Sequence, residues 1–79
     1  MSALEMYLRE TAAGRGMMHK VRLQALRQYM RMSKEEELIT AINKVTNPAL
    51  LRIMVEAGLN KTLMKAVLDR TEELVRRQT

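Results

Sequence analysis

The residue types that most often carry chemistry are scarce in this chain of 79 residues. His19 is the only histidine and there is no cysteine, so the usual His/Cys metal sites and thiolate nucleophiles cannot form. The run Glu35–Glu37 has no histidine or further carboxylate at a spacing suited to catalysis or metal binding. Gly14–Gly16 is too short for a phosphate loop. We therefore predict a protein that is not an enzyme and uses no metal or cofactor.

Positive charge is the feature that says most about partners. The net charge is +5, and residues 1–31 contain six bases against two acids, whereas residues 32–59 contain three bases against four acids. A basic surface fits an acidic partner, which is a nucleic acid, an anionic surface or an acidic protein. The candidate contact residues are Arg15, Lys20, Arg22, Arg27 and Arg31 in the first half, and Asn60, Lys61, Thr62 and Lys65 in the second.

Five stretches with apolar residues at helical spacing predict five α-helices, and no stretch alternates as a strand does. Two capping boxes support the boundaries, because Ser2 precedes Glu5 before the first helix and Ser33 precedes Glu36 before the third. The glycines at about 13–17 predict a flexible joint. The predicted helices cover residues 3–12, 17–32, 34–45, 48–57 and 61–77.

The apolar faces of these helices predict the core. The fourth helix is apolar nearly all round and needs neighbours on several sides, which predicts a central position. Because the chain has no Phe or Trp, we expect its eight methionines mainly to fill gaps in an aliphatic core. The second helix is predicted to bury Met18, Val21, Ala25, Leu26, Tyr29 and Met30, and the fifth to bury Leu63, Met64, Val67, Leu68, Leu74 and Val75.

The clearest local structure is a helical hairpin in the second half of the chain. Asn47 is a good N-cap for its first helix, and Pro48 suits the first helical position, where no amide hydrogen bond is lost. Gly58 is predicted to end that helix in a left-handed conformation, with Leu59 folding back as an apolar contact. Asn60 then caps the next helix.

Part of the chain repeats itself weakly. Lys20–Leu26 and Lys61–Val67 align at an offset of 41 residues, with lysine and alanine identical. A period near ~40 residues is typical of paired-helix repeats. Together with Val45–Leu51 and Asn60–Leu68, the pattern resembles HEAT repeats over about residues 19–75. The resemblance implies an interaction scaffold without catalysis.

The segment 53–67 also resembles a helix-turn-helix DNA-binding motif, with Ala57–Leu59 as the turn. This resemblance implies that the second helix enters a major groove. Leu63 and Leu68 are apolar where a groove-reading helix is polar, and they favour the HEAT-like interpretation. The inward positions of the motif would be Ile53, Leu59, Met64 and Val67, and the outward positions Asn60, Lys61, Thr62, Lys65 and Asp69.

We predict an all-α protein of five short helices arranged as stacked antiparallel helical hairpins, in a small bundle or short solenoid. Residues 1–79 should form a single domain. The predicted function is that of a cytoplasmic, non-catalytic adaptor that binds another protein and can form homo-oligomers. The alternative is DNA or RNA binding, through the 48–68 hairpin or the Arg-rich face of the second helix. No apolar run approaches ~18 residues, so no membrane span is expected.

Overall fold

The computed structural model describes residues 2–78 as five α-helices joined by short connections. No strand occurs within these residues. The predicted all-α class is confirmed, and the helices pack as a small bundle. Their bounds are Ala3–Ala13 (α1), Met17–Met32 (α2), Glu35–Ile42 (α3), Pro48–Ala57 (α4) and Lys61–Gln78 (α5).

Three polar side chains begin helices as predicted. Ser2 Oγ accepts a hydrogen bond from the amide of Glu5 at the start of α1. Asn47 Oδ1 accepts from the amide of Ala49 over 3.0 Å, and Asn60 Oδ1 accepts from the amide of Leu63 over 2.8 Å. Each bond satisfies one of the amides that a helix N-terminus leaves unpaired.

The predicted capping box before α3 is wrong. Lys34, and not Ser33, occupies the N-cap position, because the Ser33 hydroxyl donates instead to the Tyr29 carbonyl at the end of α2, over 2.7 Å. The third helix is also shorter than predicted. It ends at Ile42 in tight i→i+3 turns, in which the amide of Val45 bonds the carbonyl of Ile42.

Helices α1 and α4 lie at the centre of the bundle. Helix α4 packs against α1, α2 and α5, as its apolar sequence predicted, and α1 packs against α2, α3 and α4. The short helix α3 rests mainly on α5. Tyr7 and Tyr29 stack between α1 and α2 with ring centroids 4.6 Å apart. The fully buried side chains are Leu4, Leu8, Thr11, Leu26, Ile42, Val45, Leu51, Met54 and Val67.

Helices α2 and α5 do not bury all the faces predicted for them. On α2, Leu26 and Met30 are buried as expected, but Leu23 joins them while Met18, Val21 and Ala25 are exposed. On α5 the buried side chains are Leu63, Val67, Arg70 and Leu74, while Leu68 and Val75 are exposed and Met64 is half-buried. Both helices carry two neighbouring apolar stripes at helical spacing. The contacts with other helices decide which stripe is covered.

The methionines are not mainly core filler. Within the described residues, Met30 and Met54 are buried. The side chains of Met6, Met17, Met18 and Met32 are all more than half exposed. The leucines, isoleucines and valines of α1, α3, α4 and α5 therefore supply most of the core volume.

Gly58 ends α4 with φ of 97°, a value that side-chain-bearing residues rarely adopt. A Cβ added there would meet no atom within 4 Å, so a substitution tests backbone conformation alone. We expect Gly58→Val to lower the free energy of unfolding by about 1–3 kcal/mol, and Gly58→Ala by less. Urea denaturation of both variants measures this. Unchanged stability of Gly58→Val would refute the assigned turn.

Candidate interaction surfaces

A cleft of about 560 Å³ lies between the second half of α2 and the turn that joins α4 to α5. Arg27 and Arg31 reach it from α2, and Asn60 reaches it from the turn. Met30 and Leu63, both nearly buried, form its apolar floor. We call this the arginine cleft. Its lining is Arg27, Met30, Arg31, Ala57, Gly58, Leu59, Asn60 and Leu63.

Two arginines play different parts in the arginine cleft. Arg27 Nε donates a hydrogen bond to the Ala57 carbonyl at the C-terminus of α4. This satisfies a carbonyl that the helix leaves unpaired, and it places a cation at the negative end of the helix dipole. Arg31 is exposed and has no ion-pair partner among residues 2–78. Arg27 therefore ties α2 to the hairpin turn, and Arg31 is available to a ligand.

The structure brings some of the other candidate contacts close to this cleft. Lys61 and Lys65 line a shallow neighbouring pocket of about 410 Å³ together with Asn60, which belongs to both surfaces. Thr62 is exposed in the first turn of α5. Lys65 forms an exposed ion pair with Asp69 over 3.0 Å. The cleft and this pocket together make one surface from the two regions that the sequence analysis treated as alternatives.

The remaining candidates lie at the other end of α2. Arg15 is exposed in the connection between α1 and α2, and Lys20 is exposed in the first half of α2. Arg22 is half-buried, and its guanidinium approaches a Glu10 carboxylate oxygen at 3.4 Å. A Cβ on Gly14 would come within 3.0 Å of Arg22 Cδ, so glycine permits this close packing. These three arginine and lysine side chains do not join the arginine cleft.

A second concave surface is apolar and has no counterpart in the sequence analysis. It is a groove of about 480 Å³ between α4 and α5, which we call the α4–α5 groove. Val55, Leu68 and Val75 line it with 39%, 57% and 50% of their surfaces exposed. The groove was missed because Leu68 and Val75 were predicted to face the core. Its lining is Pro48, Ala49, Arg52, Val55, Val67, Leu68, Thr71 and Val75.

His19 links three helices, which its position at the start of α2 did not predict. Its Nδ1 lies 3.1 Å from the Thr11 carbonyl near the end of α1, and its Nε2 lies 2.9 Å from Glu56 Oε1 on α4. Only the imidazolium form can donate from both nitrogens, and both partners are acceptors. The hydrogen bond to Glu56, followed by that to the Thr11 carbonyl, raises the pKa of His19 above 6.5.

This contact predicts a pH dependence of stability. Because the folded-state pKa is raised, the contact stabilises the fold fully below about pH 6.5, and that contribution is lost as pH rises through the folded-state pKa. We expect the difference in melting temperature between the wild type and His19→Gln to shrink as the pH is raised. In NMR titrations, Glu56→Gln should lower the pKa of His19, and Glu37→Gln should not. A Glu56→Gln variant with an unchanged His19 pKa would contradict the assigned contact.

Comparison of the chain with protein families, with curated proteins and with solved structures finds no match. The function must therefore be argued from the surfaces themselves. Over residues 2–78, no helix combines the length and the apolar character needed to cross a bilayer.

Proposed function

We propose that this chain is a non-catalytic protein-interaction module that binds an amphipathic helix of a partner protein in the α4–α5 groove. The observation that carries the proposal is the exposure of Leu68 and Val75 beside Val55 in a concave, mainly apolar site. Helix-in-groove binding uses such a site, since a partner helix can insert side chains spaced three or four residues apart.

The energetics of the groove favour this use. Burying one leucine or valine side chain that is otherwise exposed stabilises a complex by about 1.5–3 kcal/mol. Single exposed apolar residues are ordinary on a protein surface, but a cluster of them in one concavity marks an interaction site. Arg52 also lines the groove, is exposed, and has no ion-pair partner among residues 2–78. It can pair with a carboxylate at the edge of the partner helix.

Photo-crosslinking tests the proposal directly. A benzophenone amino acid placed at position 68 should give discrete adducts on irradiation in cells, and the same group at Val21 should not. Leu68 and Val21 are matched controls, because their exposed fractions are 57% and 55%. The crosslinked protein, once purified, should bind wild-type chain by calorimetry and bind Leu68→Glu at least about tenfold more weakly. No adduct at position 68, or equal adducts at both positions, would overturn the proposal.

Nucleic-acid binding is a second candidate, and one observation favours it. Arg31 of α2 and Lys61 at the start of α5 lie on surfaces that share Asn60, so the arginine face and the hairpin offer phosphates one continuous contact area. The helix-turn-helix resemblance of the hairpin supports the same use. Neither Arg31 nor Lys61 has an ion-pair partner among the described residues.

Salt dependence distinguishes this candidate from the first. Fluorescence anisotropy with a short DNA duplex should give an affinity that falls steeply with salt concentration. Changing both Arg31 and Lys61 to Glu should reduce the slope by about two phosphate contacts, while Lys20→Glu, at the other end of α2, should change it less. Absence of binding at low salt would eliminate nucleic-acid binding by this surface.

A further inference from the structure

Helix α5 carries two stripes with the same spacing. The stripe of Leu63, Val67, Arg70 and Leu74 is buried in the bundle. The neighbouring stripe is Met64, Leu68, Thr71 and Val75, which we call the outer stripe, and its residues are half-buried or exposed. Both stripes step by four, three and four residues, the spacing by which two helices pack along a common seam. Only the inner stripe has a helix against it.

The outer stripe is continuous with the α4–α5 groove, since Leu68, Thr71 and Val75 also line that groove. From Met64 to Val75 it runs for about 16 Å along α5. A helix that lies on it therefore contacts α5 and reaches the edge of α4. The occupant must offer an apolar stripe of equal length, and the outer stripe of a second α5 meets this requirement.

The charges beside the outer stripe also fit a second copy. Its flanks carry the exposed ion pairs Lys65–Asp69 and Glu72–Arg76, which sum to zero charge. The whole chain carries +5, so two copies repel each other least where their surfaces are locally neutral. An acidic partner would be drawn instead to the basic side of the molecule that holds Arg27 and Arg31.

An antiparallel arrangement makes these charges complementary. If two α5 helices cross about a twofold axis between Leu68 and Thr71, Leu68 of each copy faces Thr71 of the other, and Met64 faces Val75. Lys65 of each copy then lies beside Glu72 of the other. A twofold axis forms every contact twice, so both favourable charge pairs are doubled.

We propose that the partner helix is α5 of a second copy of this chain, so that two molecules form an antiparallel dimer through their outer stripes. This inference rests on the proposed function and names the occupant of the α4–α5 groove. In the dimer, α4 and α5 of each copy form a four-helix arrangement with the same helices of the other. The seam is short, so association is expected at micromolar concentrations rather than below them.

Sedimentation equilibrium from low micromolar to millimolar concentration measures the dimer. Wild-type chain should dimerise as its concentration rises, and Leu68→Glu should raise the dissociation constant by about 10- to 100-fold. Val21→Glu adds the same charge at an equally exposed position on α2 and should leave the constant unchanged. A wild-type chain that is monomeric throughout, or a dimer that Leu68→Glu does not weaken, would overturn the inference.

Charge exchange tests the antiparallel register. Lys65→Glu alone and Glu72→Lys alone should each weaken the dimer by about 2- to 10-fold, because each places like charges together. The double variant should restore wild-type association. An equimolar mixture of the two single variants should also associate, since every cross pair in that heterodimer is again opposite in sign. Single variants that associate like the wild type, or a mixture no stronger than its components, would refute this register.

The crosslinking experiment separates this inference from the proposed function. A position-68 adduct whose mass is that of two chains supports the dimer. An adduct with a different protein, together with a monomeric wild type, overturns the dimer and retains the proposed helix-binding function. Absence of both kinds of adduct overturns both.

Discussion

Leu51→Ala should lower the free energy of unfolding by about 2–5 kcal/mol. Leu51 is fully buried in the middle of α4, the helix that packs against α1, α2 and α5. Removing its branched end loses the transfer free energy of the buried carbons and leaves a cavity that three neighbouring helices restrain from collapsing. A domain of this size has about 4–12 kcal/mol in total, so the variant should be close to its unfolding midpoint under native conditions.

The same helix provides the control for that result. Val55 lies one turn further along α4 but is 39% exposed in the α4–α5 groove. Val55→Ala should cost less than about 1 kcal/mol, because most of the removed carbons already contact solvent. Urea denaturation followed by circular dichroism measures both variants. Equal losses at the two positions would contradict the assignment of Leu51 to the core and Val55 to the surface.

Arg70→Ala should have the second-largest effect, about 2–4 kcal/mol. Arg70 is 7% exposed in a predominantly apolar core, which is unusual for a charged side chain. Its Nε donates to the Val45 carbonyl over 2.9 Å, and its Nη1 lies 3.3 Å from Glu73 Oε1. The alanine variant loses the packing of the aliphatic stem and leaves a carbonyl of the α3–α4 connection without its donor.

Two further variants divide this effect. Arg70→Met keeps a long apolar side chain but cannot donate, so its loss of about 1–3 kcal/mol measures the unpaired Val45 carbonyl. Glu73 is half-exposed, so neither variant strands a buried charge. Arg77→Ala removes another arginine paired with Glu73, but on the surface, and should cost less than about 1 kcal/mol. If Arg70→Met were as stable as the wild type, the bond to Val45 would contribute nothing to the fold.

The α4–α5 hairpin explains why the sequence indicated two kinds of partner. One side of the hairpin turn meets Arg27 and Arg31 across the arginine cleft, and that side is basic. The opposite side carries the α4–α5 groove and is mainly apolar. A single hairpin thus presents chemistry for a phosphate on one face and for a helix on another. The resemblances to HEAT repeats and to helix-turn-helix motifs both draw on this hairpin.

Sequence alone determined the secondary structure closely, because the residues that begin and end a helix act over a few positions. Asn47 and Asn60 cap α4 and α5 with their own side chains, and Gly58 has the positive φ that the turn requires. The boundaries of α2 and α4 follow as predicted. The error at α3 is instructive, since the Ser33 hydroxyl had two acceptable uses and bonded the end of α2 instead of the start of α3.

Tertiary structure decided which faces are buried and which surfaces meet. A helical spacing fits Leu63–Val67–Leu74 and Met64–Leu68–Val75 equally well, and only the position of the neighbouring helices covers the first set and exposes the second. Contacts between residues far apart in the chain, such as His19 with Glu56 and Arg27 with Ala57, likewise leave no periodic signal. The sequence therefore determined five helices and a tight hairpin, while the packing of those helices produced the groove and the arginine cleft.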